Sequence, residues 1–374
     1  MNLSRSLDWV LFGVVVTLAT SCVDPIPSVS IFRAPEGASL PQVVVDEMDT
    51  LHLVYYTGSM SSGDLFYVTR LLDGGTWSAP QRVNSRPHSV TGLGPIDGGQ
   101  LAIGPDGLLH ITWFHRDPAR FYYTKSDFAG GFEQQQTLSV KDEGGVEAGS
   151  TLAVDPGGNV YVFWHADPLP DAERRVYMVV SRDNGKSFDL PRAISPPAQG
   201  ACGCCGLRAA SDEMGAVYLS YRSAGGNVRR GMRLLTSVDQ GHRFTDKLIH
   251  AWEVGACPVA TTTLDTGPNG VVVAWETEGE VYLANTSRLA QPVSPSGVAG
   301  FRRKNATVSV NNHGDKLLAW GDGPGWQSGG TLHWQLFDEA DHPRGAEGTT
   351  PAPIPARSVP SVAALSDGSF VVVY

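Results

Sequence analysis

A short hairpin pattern recurs along the sequence, and it constrains the fold more than any other feature. In its clearest copy, LAVDPGGNVYVFW at 152–164, an apolar run ends in a turn segment and a second apolar run leads to an aromatic residue. Proline presets one backbone dihedral of such a turn and glycine accepts a positive φ, so the pattern predicts two antiparallel strands. Equivalent copies end at Tyr55, Trp113, Tyr221, Trp275, Trp320 and Tyr374. Seven copies about 50 residues apart predict a repeat architecture, and this period is typical of propeller blades.

The composition favours an all-β chain over a helical one. The 374 residues include 43 glycines and 25 prolines, and only 18% of the residues are charged. No segment shows a sustained helical period of apolar residues. We therefore predict an all-β fold, a single β-propeller domain over residues 41–374 with seven blades or, alternatively, six. The last copy stops at Tyr374 after two strands, so we expect Val29–Phe32 to join that blade and close the ring.

The N-terminal residues have the composition of an export signal. Residues 1–21 combine Arg5, a short apolar run and three small residues ahead of Cys22, and the run is too short to span a bilayer. The segment ATSC resembles the bacterial lipobox, which implies that Cys22 is lipid-modified; ordinary signal-peptidase cleavage is the alternative. Residues 22–40 are expected to form a lipid-anchored tether and the closing strand. These features predict an exported lipoprotein of the bacterial cell envelope, at the outer membrane on its periplasmic or surface side.

The charge pattern and the blade topology restrict the partners. The net charge is −10 and basic residues form no long runs, which argues against a nucleic-acid partner. We expect a monomer whose only membrane contact is the N-terminal lipid. The loops after each second strand and the crossovers between blades lie on one face, and they are long and polar. The binding candidates on this loop-rich face are His115, Arg116, Asp117, His165, Asp167, Arg229, Arg230 and Trp326.

Two turns carry a specific motif. Ser181-x-Asp183-x-Gly185-x-x-Phe188 and Ser237-x-Asp239-x-Gly241-x-x-Phe244 both match the Asp-box of sialidase-like (BNR) repeats. The aspartate can accept backbone N–H bonds within the turn and the aromatic residue can pack into the blade. We interpret the motif as structural, because turns of separate blades do not converge on one catalytic point.

A cysteine cluster offers two kinds of chemistry. Cys202, Cys204 and Cys205 form a CGCC segment, and Cys257 lies in the next crossover, so the propeller topology predicts that the two segments are neighbours. In an exported protein an even set predicts disulfides. We favour Cys257 bonded to Cys204 or Cys205, with Cys202 taking the other, because adjacent cysteines would form a strained ring. The alternative is a thiolate site for Zn²⁺ or Cu(I).

The same region carries a family resemblance. CGCC, YRS followed by NVRRGMRLLTSVDQGHRF, and WEVGACPV resemble segments of a group of exported bacterial sialidase-like BNR-repeat proteins. The likeness is specific over about residues 180–265 and extends elsewhere only to the repeat. Members of the group are often labelled exo-sialidase by fold, so the resemblance implies the propeller more strongly than any reaction.

A sialidase-like site would need particular residues. Sialidases hold a carboxylate with an arginine cluster and use a tyrosine nucleophile assisted by a glutamate, with an aspartic acid. The segment FRAP at 32–35 is similar to their FRIP motif, although Ala34 replaces the isoleucine. The resemblance implies as catalytic candidates Arg33, Arg222, Arg302, Tyr221 and Glu276. The alternative is that these are ordinary residues at loop ends, since nothing in the sequence fixes their geometry.

Three functions are therefore compatible with the sequence. The first is a lipid-anchored propeller that binds a glycan or protein ligand without catalysis and needs no cofactor. The second is a sialidase-like glycoside hydrolase. The third is a protein with a cysteine-based metal (Cu or Zn) or redox site.

Overall fold

The computed structural model describes residues 25–138, 149–166, 170–226, 228–255, 259–287, 292–297, 302–325 and 328–374. The signal segment 1–21, Cys22, Asp167, Cys257 and Trp326 lie outside these residues. The described strands form seven separate sheets, which are the blades of one propeller. The predicted all-β, seven-bladed fold is confirmed, and the six-bladed alternative is wrong.

The first four blades have four antiparallel strands each, ordered from the axis outward. Blade 1 contains β2 (Ser39–Val45), β3 (Leu51–Gly58), β4 (Gly63–Arg70) and β5 (Gln81–Arg82). Blade 2 contains β6 (Gln100–Ile103), β7 (Leu109–Arg116), β8 (Ala119–Lys125) and β9 (Gln136–Thr137). Blade 3 contains β10 (Thr151–Val154), β11 (Val160–Ala166), β12 (Arg175–Ser181) and β13 (Arg192–Ala193). Blade 4 contains β14 (Arg208–Ser211), β15 (Val217–Gly225), β16 (Arg229–Ser237) and β17 (Thr245–Glu253).

The last three blades depart in part from the expected four strands. Blade 6 keeps them, as β21 (Arg303–Val310), β22 (Lys316–Asp322), β23 (Thr331–Phe337) and β24 (Pro343–Pro353). Among the described residues blade 5 has three, β18 (Thr262–Gly267), β19 (Gly270–Thr277) and β20 (Glu280–Asn285), and Val293 adds one bridge to Leu283 at its outer edge. Blade 7 has β25 (Ser361–Ala364) and β26 (Phe370–Val373) from the C-terminal end of the sequence and β1 (Val29–Phe32) from its N-terminal part.

The expected ring closure is confirmed. Strand β1 pairs with β26 in parallel, with Val29 opposite Phe370 and Phe32 opposite Val373. Two serine hydroxyls of the last blade also accept backbone N–H bonds from blade 1, Ser358 from Leu40 at 2.9 Å and Ser361 from Val43 at 3.0 Å. Closure pairs the strand edge that the last blade would otherwise expose.

The aromatic residues that end the hairpin copies account for the packing between blades. Trp113, Trp164, Trp275 and Trp320 are fully buried, and separate apolar clusters fill the spaces between neighbouring sheets. Strand β11, VYVFWHA, is buried along its whole length because a sheet covers each of its faces. The only helical segment described is a short 3₁₀ turn at Pro197–Gln199, and none of the described residues form a helix suited to crossing a membrane.

The hairpin turns are closed by their own side chains. In blade 3 the Asp155 carboxylate accepts the Asn159 N–H at 2.9 Å and the Tyr161 hydroxyl at 2.7 Å, while Gly158 takes a φ of +78°. In the Asp-box turn, Asp183 accepts the Ser187 N–H at 2.9 Å and the Ser181 hydroxyl at 2.7 Å. The Ser187 hydroxyl also donates to Asp183, at 2.6 Å, and together these hydrogen bonds, that of the Ser187 hydroxyl above all, lower the pKa of Asp183 to about 2.

The second Asp-box repeats this arrangement. Asp239 accepts the Arg243 N–H and the Ser237 hydroxyl, each at 2.9 Å, and the Ser237 hydroxyl accepts the Gly241 N–H at 2.9 Å. The two motif aromatics pack edge-on against the preceding blade, Phe188 on Tyr123 and Phe244 on Phe163. Both Asp-boxes therefore join local turns to the core between blades.

Candidate functional site

A cavity of about 440 Å³ lies on the loop-rich face, over blades 4 to 6. Loops after second strands and crossovers into the next blade line it, as the topology predicts. Its described lining includes five cationic side chains, Arg222, Arg302, Arg303, Lys304 and Arg357. It also includes two carboxylates, Glu276 and Glu278. A cluster of cations is notable in a protein whose net charge is −10, because it concentrates positive potential in one concave place.

Arg222 is the most unusual of these cations. It lies on β15, its side chain is 1% exposed, and its guanidinium stacks over the Trp252 ring at 5.2 Å. Its Nη1 donates to the Cys205 sulfur at 3.4 Å, whereas Nε and Nη2 have no hydrogen-bond partner among the described residues. A buried guanidinium normally has a paired carboxylate, since leaving its N–H groups unpaired is costly. Arg222 therefore contributes to the cavity wall a guanidinium whose Nε and Nη2 no described residue engages.

The neighbouring cations divide into paired and unpaired ones. Arg303 is buried between Glu280 at 3.2 Å and Glu347 at 3.6 Å, and it stacks over Trp320. These contacts give Arg303 a structural role, because they attach the first strand of blade 6 to its neighbours. Arg302 is exposed and Arg357 half-buried, and neither forms an ion pair with a described carboxylate. Arg222, Arg302 and Arg357 are thus the lining cations that no described carboxylate pairs.

Glu276 forms part of the cavity wall and also joins two blades. Its side chain is 4% exposed and accepts hydrogen bonds from Thr261, through N at 3.3 Å and Oγ1 at 3.1 Å. It accepts further backbone N–H bonds from Asn305 and from Ala306, the latter at 3.3 Å. Burial raises the pKa of Glu276, and Lys304 at 3.9 Å opposes that effect. The carboxylate thus fixes the crossovers into blades 5 and 6 against one another.

The catalytic candidates do not all meet in this cavity. Arg222, Arg302 and Glu276 line it. Tyr221 is fully buried in the apolar cluster between blades 3 and 4, because successive side chains of a strand point to opposite faces. Arg33 stacks over the Tyr374 ring at 4.7 Å beside blade 7 and is not part of the lining.

The described members of the predicted binding set also lie elsewhere on the protein. Arg116, Asp117 and Arg229 are exposed, and the His115 ring contacts the Pro118 carbonyl at 3.3 Å. His165 is fully buried, with a pKa lowered to about 3 by burial. Arg230 is buried and pairs with Asp171 at 3.4 Å. None of them is among the lining residues of the cavity.

The cluster of Cys202, Cys204 and Cys205 is in contact with Arg222 through the Cys205 sulfur. Cys202 and Cys205 are buried free thiols with their sulfurs 3.2 Å apart, so the second disulfide expected for Cys202 is not formed. Cys204 is disulfide-bonded, and the other half of that bond lies outside the described residues. The sulfurs of Cys202, Cys204 and Cys205 lie within 4.8 Å of one another. Because Cys204 is disulfide-bonded, the described residues offer two thiols, fewer than the four ligands of a structural zinc site.

The two free thiols have different acidities. The Cys202 thiol donates a hydrogen bond to the Cys205 sulfur, and this bond, aided by the charge of Arg222, lowers the pKa of Cys205 to about 6 although burial acts in the opposite direction. The same hydrogen bond and burial raise the pKa of Cys202. Cys205 is therefore the more acidic thiol of the pair.

The sequence contained unused signals for this site. Arg302-Arg303-Lys304 is the densest basic cluster of the chain, and all three residues line the cavity. The CGCC segment also contains a CxxC spacing, between Cys202 and Cys205, and this spacing is a signal for a thiol pair that the CxCC pattern does not express. Arg357 had no signal beyond its place in the crossover into blade 7.

Comparison with known proteins defines the class of fold. No protein-family model matches the sequence, and no curated protein matches it. An α-L-arabinanase from Penicillium chrysogenum, solved with arabinobiose, is 11% identical, with a TM-score of 0.54 over 84% of this chain and 99% of its own. A protein of unknown function from Dyadobacter fermentans is 14% identical, with a TM-score of 0.51 over 79% of this chain and 93% of its own.

A sialidase shares the architecture as well. The Hadza microbial sialidase Hz136 is 11% identical, with a TM-score of 0.50 over 85% of this chain and 69% of its own. At these identities the likeness concerns the fold alone. The chain is a seven-bladed β-propeller, and its fold is similar to those of an arabinanase and a sialidase.

Proposed function

We propose that this protein is a binding module for an acidic carbohydrate, which it holds in the cavity on its loop-rich face. The observation that carries the proposal is Arg222, a buried guanidinium whose Nε and Nη2 have no described partner and which lines the cavity. A carboxylate would fill those donors with the planar, bidentate geometry that guanidinium groups favour.

The shape and the remaining lining favour a small sugar acid. A volume of about 440 Å³ suits a ligand of one or two sugar rings. Arg302 and Arg357 add positive charge at the rim, while Glu278 and Ser328 offer polar atoms for sugar hydroxyls. Pro95, Val254 and Val259 provide apolar wall. Two of the structurally similar proteins are named for arabinan or sialic acid chemistry, which is in keeping with a carbohydrate ligand.

A sialidase-like hydrolase is the second candidate. Arg222, Arg302 and Glu276 share the cavity, which favours it. Against it, Tyr221 is buried between blades and the oxygens of Glu276 already accept four hydrogen bonds. We therefore propose binding without turnover. Release of fluorophore from a sialoside by purified protein, lost in Arg222→Gln, would replace this proposal by the hydrolase.

The test is calorimetric titration with matched sugars. N-acetylneuraminate, galacturonate and glucuronate are compared with neutral galactose and N-acetylglucosamine. We expect binding of at least one acid and of neither neutral sugar. Arg222→Gln should weaken it by roughly 10- to 150-fold, the range for hydrogen bonds to a charged group. Arg82→Gln, on the exposed outer strand β5, is the control. Binding of neutral sugars alone, or no effect of Arg222→Gln, would refute the proposal.

We further propose that the chain belongs to the exported BNR-repeat group that it resembles, and that it is a monomeric lipoprotein of the cell envelope attached through Cys22. The support is the signal-like segment with its ATSC sequence, together with the Asp-box and cysteine segments. We also propose that Cys204 pairs with Cys257. Intact mass of the membrane-extracted protein should show a diacylglyceryl-modified Cys22, and Cys22→Ala should abolish membrane attachment. An unmodified mature protein that starts at another residue would contradict the lipoprotein assignment.

A further inference from the structure

We propose that Cys202 and Cys205 form a reversible redox pair that controls whether Arg222 is available to the cavity. The two residues have CxxC spacing in the crossover into blade 4, and the Cys205 N–H donates to the Cys202 carbonyl at 3.2 Å, so a tight turn brings the thiols together. Their sulfurs are 3.2 Å apart. A disulfide needs about 2.05 Å, so closure requires a sulfur displacement of only about 1 Å.

The pair is buried beside Ala224 and Ala260, but its surroundings also contain a cation. Buried cysteines usually lie among apolar groups and stay protonated. Here the Arg222 guanidinium donates to the Cys205 sulfur at 3.4 Å, and Arg222 has no described carboxylate partner. Asp171, whose carboxylate accepts the Gly203 N–H at 3.4 Å, is already held by Arg174 and by Arg230. The Cys205 thiolate is therefore the anion that balances Arg222, and Arg222 in turn stabilises the reduced, ionised pair.

Oxidation follows ordinary thiol–disulfide exchange with a low-molecular-weight disulfide of the glutathione type. The Cys205 thiolate attacks one sulfur of that reagent, the reagent's S–S bond breaks, and one thiolate leaves. The Cys202 thiol then loses its proton to the solvent and attacks the Cys205 sulfur. The protein disulfide forms and a second reagent thiol is released. Two protein thiols lose two electrons in total and one reagent disulfide gains them.

Closure of the pair changes the charge next to Arg222. A disulfide sulfur carries no negative charge, so the guanidinium loses its only described anionic contact. An anionic ligand in the cavity then becomes the best available partner, and its affinity should rise on oxidation. By linkage the ligand must favour the oxidised pair by the same factor, typically about 5- to 150-fold. This second part rests on the proposed acidic ligand, whereas the redox pair itself does not.

The redox pair is tested on the full chain without any ligand. The protein is equilibrated in glutathione buffers of graded oxidised-to-reduced ratio, quenched with acid and alkylated, and intact mass then counts the free thiols. We expect one transition in which two thiols disappear together. Arg222→Gln should move its midpoint to more reducing buffers, because the reduced thiolate loses its stabilising cation, whereas Arg82→Gln should leave it unchanged. Two thiols that stay alkylatable in every buffer would overturn the redox pair.

Two further measurements keep the outcomes separable. In Cys205→Ser no two-thiol step should remain, and in Cys204→Ser the step should persist; if either variant fails to fold, the wild-type titration decides alone. Glucuronate titrated into oxidised and reduced wild-type protein tests the coupling, with the tighter binding expected for the oxidised form. Equal affinities would overturn the control of Arg222. If no sugar acid binds at all, the proposed function fails while the thiol titration still decides the redox pair.

Discussion

The carboxylates of the hairpin turns and the guanidinium of Arg222 lie toward opposite ends of the propeller axis, and they differ in how fully they are hydrogen-bonded. At the end formed by the hairpin turns, the cavity of about 520 Å³ is lined mainly by the innermost strands, and the turn carboxylates, such as Asp155, accept hydrogen bonds from their own loops. At the loop-rich end, Arg222 is buried with donors that no described residue uses. A turn carboxylate whose hydrogen bonds are satisfied stabilises the fold, whereas Arg222 combines unpartnered donors with a place in the cavity wall, which makes it the candidate for contact with a ligand.

The largest expected effect is a loss of stability from the core, which belongs to neither end of the axis and serves as a reference for the changes below. Trp164 on β11 is fully buried between blades 2 and 3. Trp164→Ala removes a large core side chain and leaves a void, so we expect the free energy of unfolding to fall by about 3–5 kcal/mol. Denaturant unfolding measures it. Trp164→Phe, which keeps an aromatic ring there, should cost clearly less, and equal losses in the two variants would show that packing is not the cause.

The second change should separate ligand binding from stability at the loop-rich end. Arg222→Gln removes a buried cation that has incomplete hydrogen bonding, and Cys205 can then take up a proton. The relief of desolvation of both charges offsets the lost contacts with Trp252 and Cys205. We expect the free energy of unfolding to change by less than about 1 kcal/mol, although the affinity for a sugar acid falls by roughly 10- to 150-fold. Denaturant unfolding beside calorimetry decides it. A loss of several kcal/mol in stability would make Arg222 a structural residue.

The third change, in the Asp-box, should lower the stability of the fold without changing the affinity for a sugar acid. Asp183→Ala removes hydrogen bonds to Ser181 and Ser187, and because the carboxylate is exposed we expect a discounted loss of about 1 kcal/mol in unfolding free energy. Sugar-acid affinity should not change. Lys186→Ala in the same turn is the matched control.

The pH dependence of the Asp-box gives an independent check. The folded-state pKa of Asp183 is lowered to about 2, below the ordinary value of about 3.9. Its stabilisation is therefore present above the ordinary value and is lost as the pH falls toward the folded value. The stability difference between wild type and Asp183→Ala should shrink across that interval, and a difference that stays constant with pH would point to another cause.

The fold was predictable because its determinants are local. Each hairpin copy carries its own turn residues and its own buried aromatic, so a blade can be recognised from a short segment. Ring closure by Val29–Phe32 followed from counting strands in the last blade. The described part of blade 5 has three strands and a bridge at Val293, and this was not predictable, because no turn or period distinguishes such a bridge from a short outer strand.

The sequence predicted on which face of the propeller the site lies, but not which residues of that face meet in one cavity. Arg222 and Arg302 belong to different blades, so their meeting in one cavity depends on how the blades are arranged around the axis. Tyr221 could have been excluded in advance, since the strand alternation that points Arg222 to the cavity points Tyr221 to the core. The pairing of Cys205 with Arg222 joins the crossover into blade 4 to β15 of that blade, and no sequence spacing encodes it.

The smallest expected effect is that of salt concentration on the affinity for a sugar acid, and it should differ between the exposed and the buried cations of the cavity. Arg302 is exposed, so its attraction for an anionic ligand is screened by added salt, whereas Arg222 is buried and is screened far less. Between about 0.05 M and about 0.5 M sodium chloride we expect the affinity for a sugar acid to fall by roughly 2- to 3-fold. Arg302→Gln should remove most of that dependence, and Arg222→Gln should weaken binding yet retain it. The two variants should therefore differ both in affinity and in how steeply the affinity depends on salt concentration. Equal salt dependence in the two variants would mean that Arg222 and Arg302 do not hold the ligand in the way proposed.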